Sequence, residues 1–494
     1  MPELDPSGTP VALGRLVLRT PGFSGSAEMA VPGVPGGRGS ADLPSAALGA
    51  ALDAHGVTEF QTAVLTGVRE AAGGGGARGG RGADAPVELT APAAGTGLAQ
   101  VALVEDAWGT STWHVPAAAA PGPAGRGGDT VVYQLPRRVL QTSTAGDSST
   151  RGPLGFLGRT VLRILVFPLV DEAVGRVGEH FVERWEQRHR PYRLFLATAE
   201  NLTLADPPEA TAEQLAELLG APALLLVHGT FSRARSAFAG LLDDSTGPST
   251  FEQLSRRYEG RVLAFDHPTL HADPVANIEW LFDHLPRGTE AQVDVVSHSR
   301  GGLVTRCLAE GALGPADRTV SVRRAVLAAT PNAGTHLASP THLGDLVDAY
   351  TNLLSALPDI AVLDVFEMLV AVVKELAVGV AKALPGLMAM EPDSWMLRRL
   401  NAAVENAPTY FAVASDFEPV QPGLKAWAAD ALADRVFGGR SNDLVVPTAG
   451  TFSANGSSLF PIADPLQLPV TTGIGHSGYF YDADVREALL RWLP

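Results

Sequence analysis

Residues 293–302 read Val293-Asp294-Val295-Val296-Ser297-His298-Ser299-Arg300-Gly301-Gly302. An apolar run that ends in small residues and passes into Gly301-Gly302-Leu303-Val304 predicts a buried strand, a tight turn at Ser299 and a helix leaving that turn. A turn of this kind holds one side chain proud of a sheet, and small neighbours let strand and helix approach closely. An ordinary strand-to-helix turn also reads this way, so the surrounding chain has to decide between them.

Outward from this stretch, short apolar strands alternate with helical patterns. Strands are predicted at Ala223–Val227, Arg261–Asp266, Gln292–Val296 and Arg324–Ala329. Helices are predicted at Phe251–Tyr258, Val275–Leu285 and Gly302–Glu310, with another opened by a Thr-x-x-Gln capping box from Thr211 to Gln214. This alternation predicts an α/β fold, a mostly parallel sheet with helices on both faces, whose ligands bind beyond the carboxyl ends of the strands.

A second stretch, Leu224-Leu225-Leu226-Val227-His228-Gly229-Thr230-Phe231, ends a buried strand in His-Gly. With the turn at Ser299 it makes the chain, over roughly residues 221–494, resemble the α/β-hydrolase superfamily in its bacterial lipase and esterase branch. Ser297 stands where the Gly-x-Ser-x-Gly turn of that family has its first glycine. The resemblance implies that Ser299 is a nucleophile and that the backbone N–H groups of Thr230 and Arg300 form the oxyanion hole. It also implies the chain order serine, acid, histidine. Four of the twelve histidines, His298, His336, His342 and His476, lie in or after the turn. His476, in a Gly-rich loop before the last helix, is preferred as the base over His336. For the acid, Arg440-Ser441-Asn442-Asp443-Leu444-Val445-Val446-Pro447 resembles a lipase Asp-Gly-Val-Val-Pro turn with Leu444 in the glycine's place, and Asp416 is the rival of Asp443. The activity implied is cleavage of carboxylic esters through an acyl-enzyme on Ser299, with an apolar acyl ester or lipid as substrate. A thioesterase, an amidase or an acyltransferase would use the same triad. A non-catalytic interaction protein on a hydrolase fold is the alternative from another class.

Composition excludes several other chemistries. Of 37 basic residues only Lys374, Lys382 and Lys425 are lysines, and none follows a glycine, so a Walker phosphate loop is absent. Cys307 is the single cysteine, which excludes a thiolate zinc site and an internal disulfide. No metal and no cofactor is expected. His267 and His271 have metal-like spacing, but Pro268 breaks the helix that would align them. The net charge of −16 argues against nucleic acid as a partner. The N-terminal Met1–Pro10 lacks the basic and apolar pattern of a signal peptide, and a cytoplasmic location is expected.

The 494 residues divide unevenly. Residues 1–150 hold 26 of 53 glycines and 13 of 37 prolines, and are expected to be an accessory region with strands at Val11–Thr20, Gln100–Val115 and Thr130–Pro136. Loop tracts are expected at Val31–Ser40 and Gly73–Gly82. A helical connector is expected over 151–205, because Val161, Leu165, Leu169, Val177, Phe181 and Trp185 recur at multiples of four. The hydrolase-like domain then takes 206–494, with a helical lid or cap inserted at about 340–406. Within the insert, Asp364, Glu367, Lys374, Glu375 and Lys382 fall on one stripe of an otherwise apolar helix. That pattern predicts an amphipathic cap over an acyl site or a face that makes peripheral contact with lipid.

Overall fold

The computed structural model describes residues 1–30, 45–71, 85–107, 110–117, 130–140, 159–172, 174–178, 180–243, 245, 247–310, 314–354, 359–379, 384–402, 407–418, 437–454, 462 and 464–494. The tracts Val31–Ser40 and Gly73–Gly82, with Lys382 and Lys425, lie outside the described residues. The chain forms two compact units, Met1–Glu179 with Val370–Val380, and His180–Leu369 with Ala381–Pro494.

The first unit is built on antiparallel strands. One sheet takes the order β1 (Glu3–Leu4), β4 (Phe23–Ala30), β5 (Thr58–Glu70), β10 (Arg159–Pro168), β7 (Leu98–Glu105) and β8 (Ser111–His114). A second takes the order β2 (Val11–Leu13), β3 (Leu16–Arg19), β6 (Val87–Pro92) and β9 (Thr130–Leu135). Leu18, Phe23, Leu65, Leu89, Val104, Tyr133 and Ile164 share one buried core.

β10 corrects the helical connector expected over 151–205. Arg159–Pro168 pairs with both β5 and β7, and Thr160, Leu162 and Ile164 are buried on alternate positions. A spacing of four is also twice the strand period, so Val161 and Leu165 satisfy both templates, and tertiary pairing chose the strand. The helix that does form, α2 (Phe181–His189), is confined to the end of that segment and is followed by Pro191.

The second unit is a seven-stranded sheet in the order β13 (Arg193–Leu196), β15 (Val262–Asp266), β14 (Ala223–Val227), β16 (Glu290–His298), β17 (Thr319–Ala328), β18 (Thr409–Ser415) and β19 (Leu466–Leu468). Only β13 runs antiparallel to its neighbour; every other pair is parallel. The central strands are continuous apolar runs because both faces are covered, among others by α5 (Thr250–Arg257), α6 (Pro274–His284) and α7 (Gly301–Glu310). Thr211 caps the helix Ala212–Leu218 with Gln214 reaching back, the capping box read in the sequence.

Between β17 and β18 lies helical material that includes α8 (Leu343–Leu353) and α9 (Asp359–Ala377). Within α9 the stripe is not a solvated one: Asp364, Lys374 and Glu375 are buried and Glu367 is partly so, which corrects the amphipathic reading for these described residues. Asp364 is buried and receives Arg190 Nη1 at 3.3 Å and Arg235 Nε at 2.8 Å, and Glu367 receives Arg190 Nη2 at 2.9 Å. Further along, Lys374 is also buried and donates to the His55 carbonyl at 2.6 Å. Val365, Leu369, Val372 and Val373 on the other face are buried too. Among the described residues no helix is long and apolar enough to cross a membrane.

Candidate active site

The site is assembled where β14, β16, β18 and β19 end. Register places Val227 beside Ser297, so the loop after β14 lies against the turn after β16. Ser299 has φ 54, in the left-handed region that an L-residue avoids unless its surroundings hold it. Its N–H donates to the Ala328 carbonyl of the next strand at 2.8 Å. A Cβ on Gly301 would lie 2.4 Å from the carbonyl oxygens of both Val227 and His228, and one on Gly302 would lie 1.9 Å from Thr330 Oγ1. Those glycines are the condition for the helix to start so close to the sheet. Ser297 fits the missing glycine's place because its hydroxyl donates to the Val326 carbonyl at 3.0 Å.

His476 bridges the two other sequence candidates. Its Nδ1 lies 2.9 Å from Asp443 Oδ2 and its Nε2 lies 2.8 Å from Ser299 Oγ. A carboxylate only accepts, so Nδ1 carries the proton and Nε2 accepts from the serine hydroxyl. Asp443 is buried, yet every lone-pair direction is used. Oδ1 accepts the N–H groups of Val445 at 3.1 Å and Val446 at 2.8 Å, and Oδ2 accepts the Tyr479 hydroxyl at 2.9 Å as well as His476. Burial raises its pKa, but His476 and the two amides outweigh it, so the carboxyl is held below its ordinary 3.8. Leu444, at φ 82, turns the chain where a glycine was expected, and its buried side chain is what holds a left-handed leucine there.

The rival candidates stand elsewhere. Asp416 accepts the Asn442 N–H at 3.3 Å and braces the loop that carries Asp443. His336 is exposed, and His342 pairs with Asp345 at 2.9 Å. His298 points away from Ser299 and donates Nε2–H to the His476 carbonyl at 2.7 Å; burial holds its ring neutral, with a pKa lowered to about 3.

Gly229 packs against the turn so tightly that a Cβ there would lie 2.6 Å from Ser299 Cβ. Among the described residues, the backbone N–H groups of Thr230 and Arg300 donate to no acceptor. His228 Nδ1–H donates to the Gly229 carbonyl at 3.0 Å, and its Nε2 accepts the His267 N–H at 3.1 Å. The Gly229–Thr230 peptide is planar and trans, so a carbonyl held on the His228 side turns the Thr230 N–H to the opposite side.

Two residues at the site carried no sequence signal. Tyr479 supports Asp443 and also accepts the Ser415 N–H at 3.0 Å. Tyr350, on α8, sets its ring edge-on to both His476 and Phe231, with centroids 6.1 and 4.7 Å away. Leu353, Leu444 and Phe417 lie around Gly475, next to His476. The result is a closed, apolar surround in which Ser299 is 2% exposed. Cys307 is buried, with its thiol pushed up to about 12 by that burial. His271 Nδ1 lies 2.7 Å from Glu186, and no metal-binding group of three or more ligands occurs among the described residues.

No curated protein matches the chain. Among solved structures, lipase 1 from Pelosinus fermentans is 14% identical, with a TM-score of 0.37, over 55% of this chain and 98% of that one. Phospholipase PlaB from Legionella pneumophila is 15% identical, with a TM-score of 0.32, over 55% of this chain and 63% of its own. Aspergillus fumigatus lipase B is 14% identical, with a TM-score of 0.32, over 64% of this chain and 57% of its own. Likenesses of this size assign no role to any residue. A family model described as a domain of unknown function, DUF7379, matches residues 189–494, and the chain belongs to that family.

Proposed function

We propose that this protein is a serine hydrolase of the α/β-hydrolase type that cleaves carboxylic esters with apolar acyl groups. The observation that carries the reading is the continuous hydrogen-bonded line from Asp443 through His476 to a serine held in a left-handed turn. His476 takes the Ser299 proton as the oxygen attacks the ester carbonyl, and Asp443 holds the imidazole tautomer and stabilises its charged form. The Thr230 and Arg300 amides receive the oxyanion; one such donor is typically worth about 3 kcal/mol of barrier. His476 then gives its proton to the leaving alcohol, and water, deprotonated by the same imidazole, releases the acid from Ser299.

The aromatic and aliphatic surround of His476 supports an apolar acyl group. With Ser299 2% exposed, substrate entry requires a movement, and α8, whose Tyr350 packs edge-on against His476, serves as the moving part of a lid. Hydrolysis of nitrophenyl esters of graded acyl length tests this. Turnover that rises with chain length and drops by roughly 10⁴-fold or more in Ser299→Ala and His476→Ala is expected. Wild-type protein that turns over no acyl length would overturn the reading in favour of a non-catalytic scaffold.

A further inference from the structure

Behind the two amides assigned to the oxyanion lies one loop, residues 267–273, which follows β15 and touches both of the segments that carry them. The His267 N–H donates to His228 Nε2 at 3.1 Å, and the Phe231 N–H donates to Thr269 Oγ1 at 3.4 Å. Phe231 directly follows Thr230 and has φ 59, so this contact holds the strained end of the first amide's loop. On the other side, the Arg300 side chain donates Nη2 to the Ala272 carbonyl and, at 2.9 Å, to Asn277 Oδ1, while Asn277 Nδ2 donates to the Pro268 carbonyl at 3.2 Å. Arg300 Nε also donates to the Gly386 carbonyl at 3.0 Å, and the Gly386 N–H returns to the Leu270 carbonyl at 2.8 Å.

What fixes this loop is a single carboxylate from another element. Glu186, on α2, is 0% exposed. Its Oε1 accepts the Thr269 N–H and the Thr269 hydroxyl, the latter at 3.2 Å. Its oxygens also accept the Leu270 N–H at 3.0 and 3.1 Å, and Oε2 accepts the His271 N–H at 2.9 Å and His271 Nδ1 at 2.7 Å. Three consecutive backbone donors converging on one anion form a nest, a concavity that the anion satisfies. Burial raises the Glu186 pKa, but His271 and the amides outweigh it and hold the group below its ordinary 4.5. The Thr269 hydroxyl thus donates to Glu186 and accepts from Phe231, which links the carboxylate in two steps to the residue that follows the first amide.

We infer that Glu186 is a positioning residue for the oxyanion-binding amides, acting through the 267–273 loop on the Phe231 N–H and on the Arg300 side chain. The inference rests on the reading of Ser299 as the nucleophile. Glu186→Gln keeps the shape but turns an NH2 toward donors that need an acceptor. Thr269→Val removes only the hydroxyl link and leaves the nest in place.

The test is kcat and KM on one nitrophenyl ester, per active site titrated with a fluorophosphonate, together with the inhibition constant of a trifluoromethyl ketone of matching acyl length. In Glu186→Gln, kcat is expected to fall about tenfold or more with KM within about twofold, and the ketone, which mimics the oxyanion, to lose affinity by a similar factor. Thr269→Val is expected to shift both quantities the same way by about threefold. A destabilised but correctly shaped protein would lose active sites and keep kcat per site. Folded variants with kcat per site and ketone affinity at the wild-type level, or with a change in KM alone, overturn the positioning role and leave the nucleophile standing. If Glu186→Gln does not fold, Thr269→Val decides alone. Wild-type protein without turnover overturns the nucleophile, and this role with it.

Discussion

Ser299 holds a backbone conformation that costs an L-residue about 1–2 kcal/mol, so the residues around it must be shaped to impose it. Gly301 and Gly302 do so by letting α7 start against the carbonyls of Val227 and His228 and against Thr330. Ser297 contributes only a hydroxyl to the Val326 carbonyl. The two positions therefore differ in tolerance. Ser297→Gly loses one hydrogen bond, about 1 kcal/mol, and should keep the turnover of nitrophenyl esters proposed for the wild type. Gly301→Ala drives a methyl into two backbone carbonyls and should yield little folded protein, which circular dichroism and soluble yield would report. Comparable stability of the two variants would contradict this account of the turn. At this scale Ser299, Asp443 and His476 were legible because each sits in a short local pattern, and their chain order added meaning that no single residue carries. Glu186, Tyr350 and Tyr479 were not, since each owes its place to a partner remote in sequence, such as Glu186 to the backbone at 269–271.

Among the elements, strands of the parallel sheet were the most readable. Ala223–Val227 forms as read, and Val262–Asp266, Glu290–His298 and Thr319–Ala328 cover or overlap the apolar runs that predicted them. Burial on both faces makes such runs apolar at every position, a signal that needs no knowledge of neighbours. Arg159–Pro168 failed because its spacing of four belongs to both periods, and only pairing with β5 and β7 separates them. α9 failed differently: its charges do share one stripe, but Arg190 and Arg235 bury the first part of it. Asp364→Ala leaves those two guanidinium groups without their shared partner and should cost roughly 3–5 kcal/mol, read as a lower urea midpoint. An unchanged midpoint would return that stripe to a solvated role.

For the whole molecule, the chain returns late to the first unit, since Val370–Val380 belongs to it although it lies far along in sequence. Composition had marked residues 1–150 as distinct, but no composition could assign that late segment. Stability against acid is also a property of the whole. His228, His267 and His298 are all kept neutral below the ordinary value of 6.5 by burial, His298 down to about 3. The unfolded chain takes up those protons as pH falls through 6.5 and the folded one does not. Their stabilisation is therefore complete above 6.5 and is lost progressively toward pH 3. Urea midpoints should drop between pH 7 and pH 5, and the drop should be smaller in His298→Gln; equal midpoints would contradict the assignment of neutral rings. The most direct test of the central claim is to treat the full chain with a fluorophosphonate and map the adduct by mass spectrometry. One adduct per chain on Ser299, absent in Ser299→Ala and slowed in His476→Ala, is the result predicted; an adduct on another serine, or none on folded protein, would contradict it.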